Sequence, residues 1–449
     1  MADQSIIRIT KEIGELQKSS DLSLAVAFRD RDVRNVRALI IGPHETPYEF
    51  GFFEFSVKFN KDYPRKSPSV TGITTNSGRC RFNPNIYSSG KVCLSILGTW
   101  RGERGEEWSA AQGLESILLS IQSLMSSNPY ENEPGFEDAN ELQDKKNQKD
   151  YVAKIRHESL RISVIQRLEE YLGINNTSAI SQQSPEQRDY DLDIDDDVEV
   201  DDASIPWEPF KDLCKRRFLW YYDTYLESIK KAKEEVKDDQ AFVRMPFEGA
   251  SNSMEGKFNY TELEQRIRRI KKAIDAESDR WAVEGGSART KDATVAVNLA
   301  RQFEQIKESF KRSEVPHNIE LVDGNPFVWS FTHFGRPMTN LDGGMFRIQL
   351  NFSPRFPEEQ PRVKFLTPIF HHRIAADGTP CYFPNPSRRE DVRQHIDAII
   401  EALEEEQPPY DPRTLVHPEA HRLYWGNADQ RKVYNRQLRR SVQRSMEEI

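Results

Sequence analysis

Apolar and polar residues alternate in two stretches far apart in the chain. Phe53, Phe55, Val57 and Phe59 form the first run and Phe346, Ile348, Leu350 and Phe352 the second, a period of two that predicts half-buried strands. Their surroundings repeat as well. Thr46 to Phe53 (TPYEFGFF) returns loosely as Thr339 to Phe346 (TNLDGGMF), and each strand runs into an aromatic-Pro pair, Tyr63-Pro64 or Phe356-Pro357, with Pro68 or Pro361 beyond it. These landmarks stand 293 positions apart. Each repeat then sets a Gly three residues before a Cys, Gly90 before Cys93 and Gly378 before Cys381, at an offset of 288, so the second loop is shorter. Self-similarity of this kind marks a duplicated structural unit.

Helical periodicity covers Ser5 to Lys18 and Thr294 to Phe310 ahead of the two strand regions, and His157 to Leu172 after the first. Phe218 to Ala232 and Tyr260 to Ile274 read as further helices, and the polar, Gly-containing passage 285–291 as a hinge. The pattern predicts an α+β fold built twice in tandem: a helix, an antiparallel four-stranded meander, an extended loop carrying a cysteine, then helices. Such loops are where chemistry is commonly mounted.

A length of 449 residues leaves room for two or three cores. Sixty-three Lys and Arg against seventy-two Asp and Glu give a net charge of -9, which argues against nucleic acid as the main partner. No apolar run approaches the roughly 18 residues of a membrane span. The charged start MADQSIIRITKEIGEL is unlike a signal sequence, so a soluble protein of the cytoplasm or nucleus with no membrane partner is expected. Between Glu186 and Asp202 ten of seventeen residues are acidic, which predicts a disordered linker. Cys80, Cys93, Cys214 and Cys381 are too far apart in sequence for a CxxC pair, and predict neither a disulfide framework nor a zinc site. Each is a packing residue or a single reactive thiol.

The residues around Cys93 are more specific. Phe82-Asn83-Pro84-Asn85-Ile86-Tyr87, then Gly90 to Leu97, Gly98-Thr99-Trp100, Trp108 and SILLSIQSLMSSNPYENEPGFE, resemble the active-site run of ubiquitin-conjugating enzymes. Within that family they resemble the branch typified by enzyme Z and the related giant conjugating enzyme of the inhibitor-of-apoptosis class. With FLWYYDTY and GKFNYTELEQRI, the likeness covers about residues 1 to 270 apart from the acidic insertion. It implies that Cys93 is the nucleophile that takes a modifier from an activating enzyme as a thioester and later yields it to a lysine amine. It places Asn85 near the oxyanion of both steps, as a donor to that charge or as a brace of the loop. Asn83 stands where most members have a loop-shaping His. Glu131 and Asn132 fall where many have an acidic residue that orients the lysine, and Asn132 can accept an amine hydrogen bond. The implied partners are an activating enzyme, ubiquitin or a ubiquitin-like modifier, ubiquitin ligases and lysine-bearing substrates. ATP is consumed by the activating enzyme, so no bound cofactor is expected. No acid/base residue is evident beside Cys93, which argues against a cysteine protease. Cys80 has no matching family role and reads as packing.

The second repeat, about residues 291 to 449, resembles a divergent conjugating-enzyme domain through Asn325 to Trp329, the Gly343-Gly344 turn, Pro361 to Phe365 and Phe370-His371-His372. His371-His372-Arg373 replaces the family's His-Pro-Asn, and Tyr382-Phe383-Pro384 follows Cys381. Three readings stand side by side. The loop is a working second site, with charge from Arg373 and with Asp411 at the acidic position the first repeat lacks. It is a non-catalytic binding surface. Or Cys381 pairs with His371 or His372 in a distinct Cys-His chemistry. No metal is assigned to the His pair. The expected organisation is a catalytic domain over 1–173, an acidic linker over 174–205, a helical extension and connector over 206–290, and a second, divergent domain over 291–449. The rival to a transferring enzyme is a scaffold that binds ubiquitin-like folds without chemistry.

Overall fold

The computed structural model describes residues 4–19, 21–102, 105–174, 207–249, 254–288, 293–312 and 317–447. The expected acidic linker lies outside the described residues, apart from Ile174. The first repeat runs α1 (Gln4–Lys18), β1 (Leu24–Arg29), β2 (Asp32–Ile41), β3 (Phe52–Lys58), β4 (Ser69–Gly72), a long loop, then α2 (Leu114–Ser123) and α3 (Leu142–Glu158). From α3 the chain passes through a π-helical stretch, Ser159–Gln166, into α4 (Arg167–Leu172). Two long helices, α5 (Lys211–Glu235) and α6 (Tyr260–Ala288), connect to α7 (Ala293–Lys311), β5 (Asn318–Leu321), β6 (Val328–Phe334), β7 (Met345–Asn351) and β8 (Arg362–Phe365). A second long loop leads to α8 (Val392–Glu404), α9 (Pro418–Trp425) and α10 (Ala428–Glu447). Each set of strands forms a four-stranded antiparallel sheet in sequence order, as the alternating pattern predicts. No helix among the described residues is long and apolar enough to cross a membrane.

Among the described residues three cores hold the chain together. One lies between α1, α2 and the inner face of the first sheet, where Ile9, Ile13, Phe53, Phe55, Ile117 and Ile121 meet. A second lies inside the later repeat around Trp329, Phe346, Ile348 and Ile396. The third is a seam: Leu39, Ile41, Phe50 and Phe52 from the outer side of the first sheet join Phe218, Tyr221 and Tyr225 of α5, Ile267 and Ile270 of α6, and Cys381, Leu415 and Val416 of the second repeat. Burying a side chain of Leu or Phe size contributes roughly 1.5–3 kcal/mol. The seam is thus a large term, and it makes the expected extension of the first domain a partner of both. Asp212–Arg362 (2.9 Å), Lys271–Asp377 (2.8 Å), Glu227–Arg422 (2.7 Å) and Asp21–Arg413 (2.6 Å) tie its edges.

The structure departs from the sequence pattern in three places. β3 is buried on both faces from Phe52 to Phe55 rather than on one, because the π-helical stretch and α4 lie against its outer side; Glu54 there is buried in ion pairs with Arg167 (2.6 Å) and Arg37 (3.2 Å), while Lys58 at the strand end is exposed. The helix expected from His157 begins at Leu142; Tyr151 and Ile155 pack into the first core, and buried Lys154 pairs with Glu248 (2.6 Å), contacts that the local pattern does not show. The expected hinge at 285–291 is helix as far as Ala288, with 289–292 outside the described residues. Gly285 serves close approach instead: a Cβ there would stand 2.3 Å from the Phe327 ring, next to the bond from Asn325 Nδ2 to the Ala282 carbonyl (2.9 Å).

Candidate active site

The loop of the first repeat is built by its own polar side chains. Buried Tyr48, from the β2–β3 connection, donates its hydroxyl to the Phe82 carbonyl (2.7 Å) and accepts from Asn83 Nδ2 (3.0 Å). Asn83 Nδ2 also donates to the Leu124 carbonyl at the end of α2 (2.8 Å), and Asn83 Oδ1 accepts the Asn85 amide (2.9 Å). A tight turn from Tyr87 to Gly90 follows, with Gly90 at φ +87° pressed against Gly72 of β4, where a Cβ would come within 2.5 Å of a carbonyl oxygen. The chain then returns so that the Cys93 amide donates to the Asn85 carbonyl (2.8 Å) while Asn85 Nδ2 donates to the Cys93 carbonyl (3.0 Å). This reciprocal pair fixes where the thiol sits.

Cys93 itself is 4% exposed, and it is flanked by half-buried Asn85, Tyr87, Leu94 and Ser95 and by exposed Gly98, Thr99 and Trp100, so its loop faces solvent. Burial, and then the adjacent Cys93 thiol, hold the Tyr87 phenol above its ordinary titration range. The Tyr87 ring carries the Arg81 guanidinium 4.5 Å from its centre, and Arg81 is anchored by Glu133 (3.0 Å).

The second loop repeats this skeleton bond for bond. The Cys381 amide donates to the Arg373 carbonyl (2.8 Å), Arg373 Nε donates to the Cys381 carbonyl (3.2 Å), the Arg373 amide donates to His371 Nδ1 (3.1 Å), and Gly378 has φ +87°. What differs is the cover. Cys381 is 0% exposed because α5 lies across it. Arg217 stacks on Trp220 (4.1 Å), Trp220 meets Phe383 edge to face (5.7 Å), and Phe383 carries Arg373 (4.7 Å), a continuous stack from α5 to the loop. Burial pushes the Cys381 thiol up to about 11, against the pull of Arg373 and Arg217. His371 is lowered to about 3 by burial and then by Arg373, and His372 is lowered well below its usual range by burial. His372 is stacked on Tyr424 (3.7 Å) and bonded to the Tyr434 hydroxyl (3.0 Å). Despite burial, which opposes it, Arg413 holds the Asp411 carboxyl below its ordinary range; Arg413 binds it at 2.9 Å from both its amide and Nε.

Comparison with known proteins bears on this geometry directly. The family profile described as "Ubiquitin-conjugating enzyme" matches residues 8–159 and 299–383, together more than half of the chain. The chain belongs to the ubiquitin-conjugating enzyme family. It is 37% identical over 273 residues to the ubiquitin-conjugating enzyme E2 Z of Danio rerio, a match covering 61% of this chain and 70% of that one. Against the Homo sapiens E2 Z it is 35% identical over 274 residues, covering 61% and 64%. It is 45% identical over 124 residues to the Homo sapiens protein named "Dual E2 ubiquitin-conjugating enzyme/E3 ubiquitin-protein ligase BIRC6", covering 27% of this chain and 3% of that one.

In this conjugating-enzyme chain the residues singled out by sequence fall into two groups. Cys93, Asn85 and Asn83 are brought together in one loop. Asn132 reaches that loop from beneath, where its Nδ2 donates to the Leu124 carbonyl (2.9 Å) and to Asn83 Oδ1 (3.4 Å), so its amino group braces the loop. Glu131 is exposed and accepts from Asn128 (2.8 Å). Cys381 and Arg373 lie under α5, with His371 bonded to the Arg373 amide and Asp411 to Arg413 beside them. Cys80 packs in the first core with its sulfur 3.8 Å from Met254 Sδ. The sequence pattern did not give the roles of Tyr48, Tyr87, Arg81 and Glu133; the last three flank or belong to the recognised run, but Tyr48 and Glu133 reach the loop from far away along the chain.

Proposed function

We propose that the chain accepts ubiquitin, or a ubiquitin-like modifier, from an activating enzyme as a thioester on Cys93 and passes it to a substrate lysine, with ligases as further partners, in the cytoplasm or nucleus. The Cys93 thiolate attacks the thioester carbonyl, the tetrahedral oxyanion collapses with loss of the activating enzyme's thiolate, and a lysine amine later repeats the attack on the new thioester. Asn85 is the donor to the oxyanion. One N–H of its amide is tied to the Cys93 carbonyl, which holds the group rigidly beside the sulfur with its second N–H uncommitted by that bond. Asn83 holds the Asn85 backbone, and Asn132 supports Asn83. The single observation that carries this reading is the reciprocal Asn85–Cys93 hydrogen-bond pair in a loop that faces solvent.

The two halves form a tandem of conjugating folds: a transferring domain over 1–173, a helical connector over 206–290, and a second domain over 291–449 that is docked through its own cysteine loop and does not transfer. The closed stack over Cys381 supports this division, as does the commitment of Arg373, His371 and Asp411 to bonds within the second domain. Charging with activating enzyme, ATP and a panel of modifiers, read on a non-reducing gel, tests it. Wild type and Cys381→Ala form a reductant-sensitive adduct and Cys93→Ala forms none. An adduct that survives Cys93→Ala and vanishes in Cys381→Ala inverts the assignment.

A further inference from the structure

The last helix, α10, has two unlike faces. Tyr434, Leu438, Val442 and Ser445 are buried against the second core, while Lys432, Arg436, Arg439, Arg440 and Arg444 are exposed on the opposite side. The helix holds six Lys and Arg against two carboxylates, in a chain whose net charge is -9. Lys432 is paired with Asp429 (2.9 Å) and Arg439 donates to Asn340 Oδ1 (3.1 Å). Arg436, Arg440 and Arg444 have no hydrogen-bond or ion-pair partner among the described residues. They follow one another at four-residue spacing, a rise of about 6 Å each. Like charges at that spacing weaken a helix, and the buried opposite face prevents this one from turning to spread them. The match to the conjugating-enzyme profile stops at residue 383, so the stripe lies on a part of the second domain that the profile does not cover.

We propose that this face of α10 docks an acidic peptide segment of a partner protein. Carboxylates on alternate residues of an extended segment recur about every 6.6 Å, close to the spacing of the three free guanidinia, and each guanidinium offers a fork that fits a carboxylate. The exposed residues of the stripe include no aromatic ring on which bases would stack, which disfavours a nucleic acid strand. The apolar side of the helix is spent inside the core, and exposed Val433 and Met446, near opposite ends of it, form no apolar stripe to lie in a bilayer. The second domain then gains a use that a sealed cysteine loop does not supply: it presents a recruiting surface on a domain packed against the transferring one.

The test uses the full chain and a labelled peptide with Glu at alternate positions, read by fluorescence anisotropy at low and high salt. Wild type binds, and binding weakens as salt rises. Arg436→Gln/Arg440→Gln/Arg444→Gln binds roughly tenfold more weakly, the sum of three exposed charge pairs, with charging of Cys93 and the melting temperature unchanged. Should the triple variant fail to fold, Arg440→Gln alone carries the test at roughly twofold. Equal binding by the variant and wild type overturns the proposal. So does tighter binding of a single-stranded oligonucleotide of matched charge, which would make the partner a nucleic acid. Binding of the peptide only by a variant in which the carboxylates of Glu186 to Asp202 are changed to amides, and not by wild type, also overturns it, because the occupant is then this chain's own acidic segment.

Discussion

The loops around Cys93 and Cys381 share a backbone and differ in surroundings. In both, a residue eight positions before the cysteine trades hydrogen bonds with it, a side chain two positions earlier still accepts that residue's amide, and a glycine three positions before it takes φ +87°. Asn85 and Arg373 meet this requirement equally well, because all the loop demands is one N–H aimed at a carbonyl. The thiols part company through residues far away in sequence: α5 sets Trp220 and Arg217 over the second loop, while no such stack lies over the first among the described residues. Local sequence sets the shape of such a loop, and long-range packing sets whether its sulfur can react.

The largest expected effect is on thiol chemistry. At about pH 7.5 a thiol titrating near 11 holds roughly three-hundredfold less thiolate than one at the ordinary 8.5, and Cys381 is sterically shut as well. Alkylation followed by peptide mapping should modify Cys93 promptly and leave Cys381 untouched on the same timescale. Trp220→Ala removes the centre of the stack and should expose Cys381 to the reagent, with Phe383→Ala as the milder opening. If Cys381 is alkylated as fast as Cys93 in the wild type, the contrast between the loops collapses.

Next comes the residue at the oxyanion position. Asn85→Ala should slow discharge of a preformed thioester to free lysine about a hundredfold, the usual worth of one such donor. Arg373→Ala should leave that rate within about twofold and act on stability instead, since it takes away a guanidinium stacked in the seam. Single-turnover discharge and thermal melts separate the two outcomes. A large rate loss from Arg373→Ala would mean that the second loop takes part in transfer.

Much of this plan was legible in the chain. The strands, the leading helices and the pairing of Gly90–Cys93 with Gly378–Cys381 rest on short-range periodicity and spacing, which the structure reproduces. The covers were not. Lys211 to Arg217 and Lys230 to Glu235 are too rich in charge to extend an apolar period, so α5 reads shorter than it is, and nothing in its sequence says which surfaces its Phe218, Trp220 and Tyr221 will meet. Gly285 invites a hinge by its intrinsic freedom, yet the approach of Phe327 decides its use. Asn132 stands at the right spacing to meet a lysine, but its amino group turns to Asn83 and Leu124, partners set by the fold.

A subtler difference should appear in the pH dependence of stability. A buried thiol raised to about 11 from an unfolded value near 8.5 holds its proton more tightly when folded, so its contribution is complete below about 8.5 and is lost as pH climbs through 11. The whole term is about 3 kcal/mol. Urea unfolding at successive pH values should therefore show wild type losing stability over that window faster than Cys381→Ala. Parallel curves would mean that Cys381 reaches solvent in the folded protein.

The smallest effect concerns Tyr87, which has its hydroxyl by the Cys93 sulfur and its ring under Arg81. Tyr87→Phe keeps the ring and its cation contact and deletes only the hydroxyl, so the loop should stand and charging should slow about fivefold, the worth of one net hydrogen bond near 1 kcal/mol. At the corresponding position after the turn the second loop has Ala375, which is buried in the seam and offers no hydroxyl. The open loop therefore has a proton-bearing group beside its sulfur where the sealed one has a methyl group. If Tyr87→Phe charges at the wild-type rate across the pH range, the phenol is only a shelf for Arg81; a slower rate that recovers as pH rises would show that the hydroxyl helps the thiol to shed its proton.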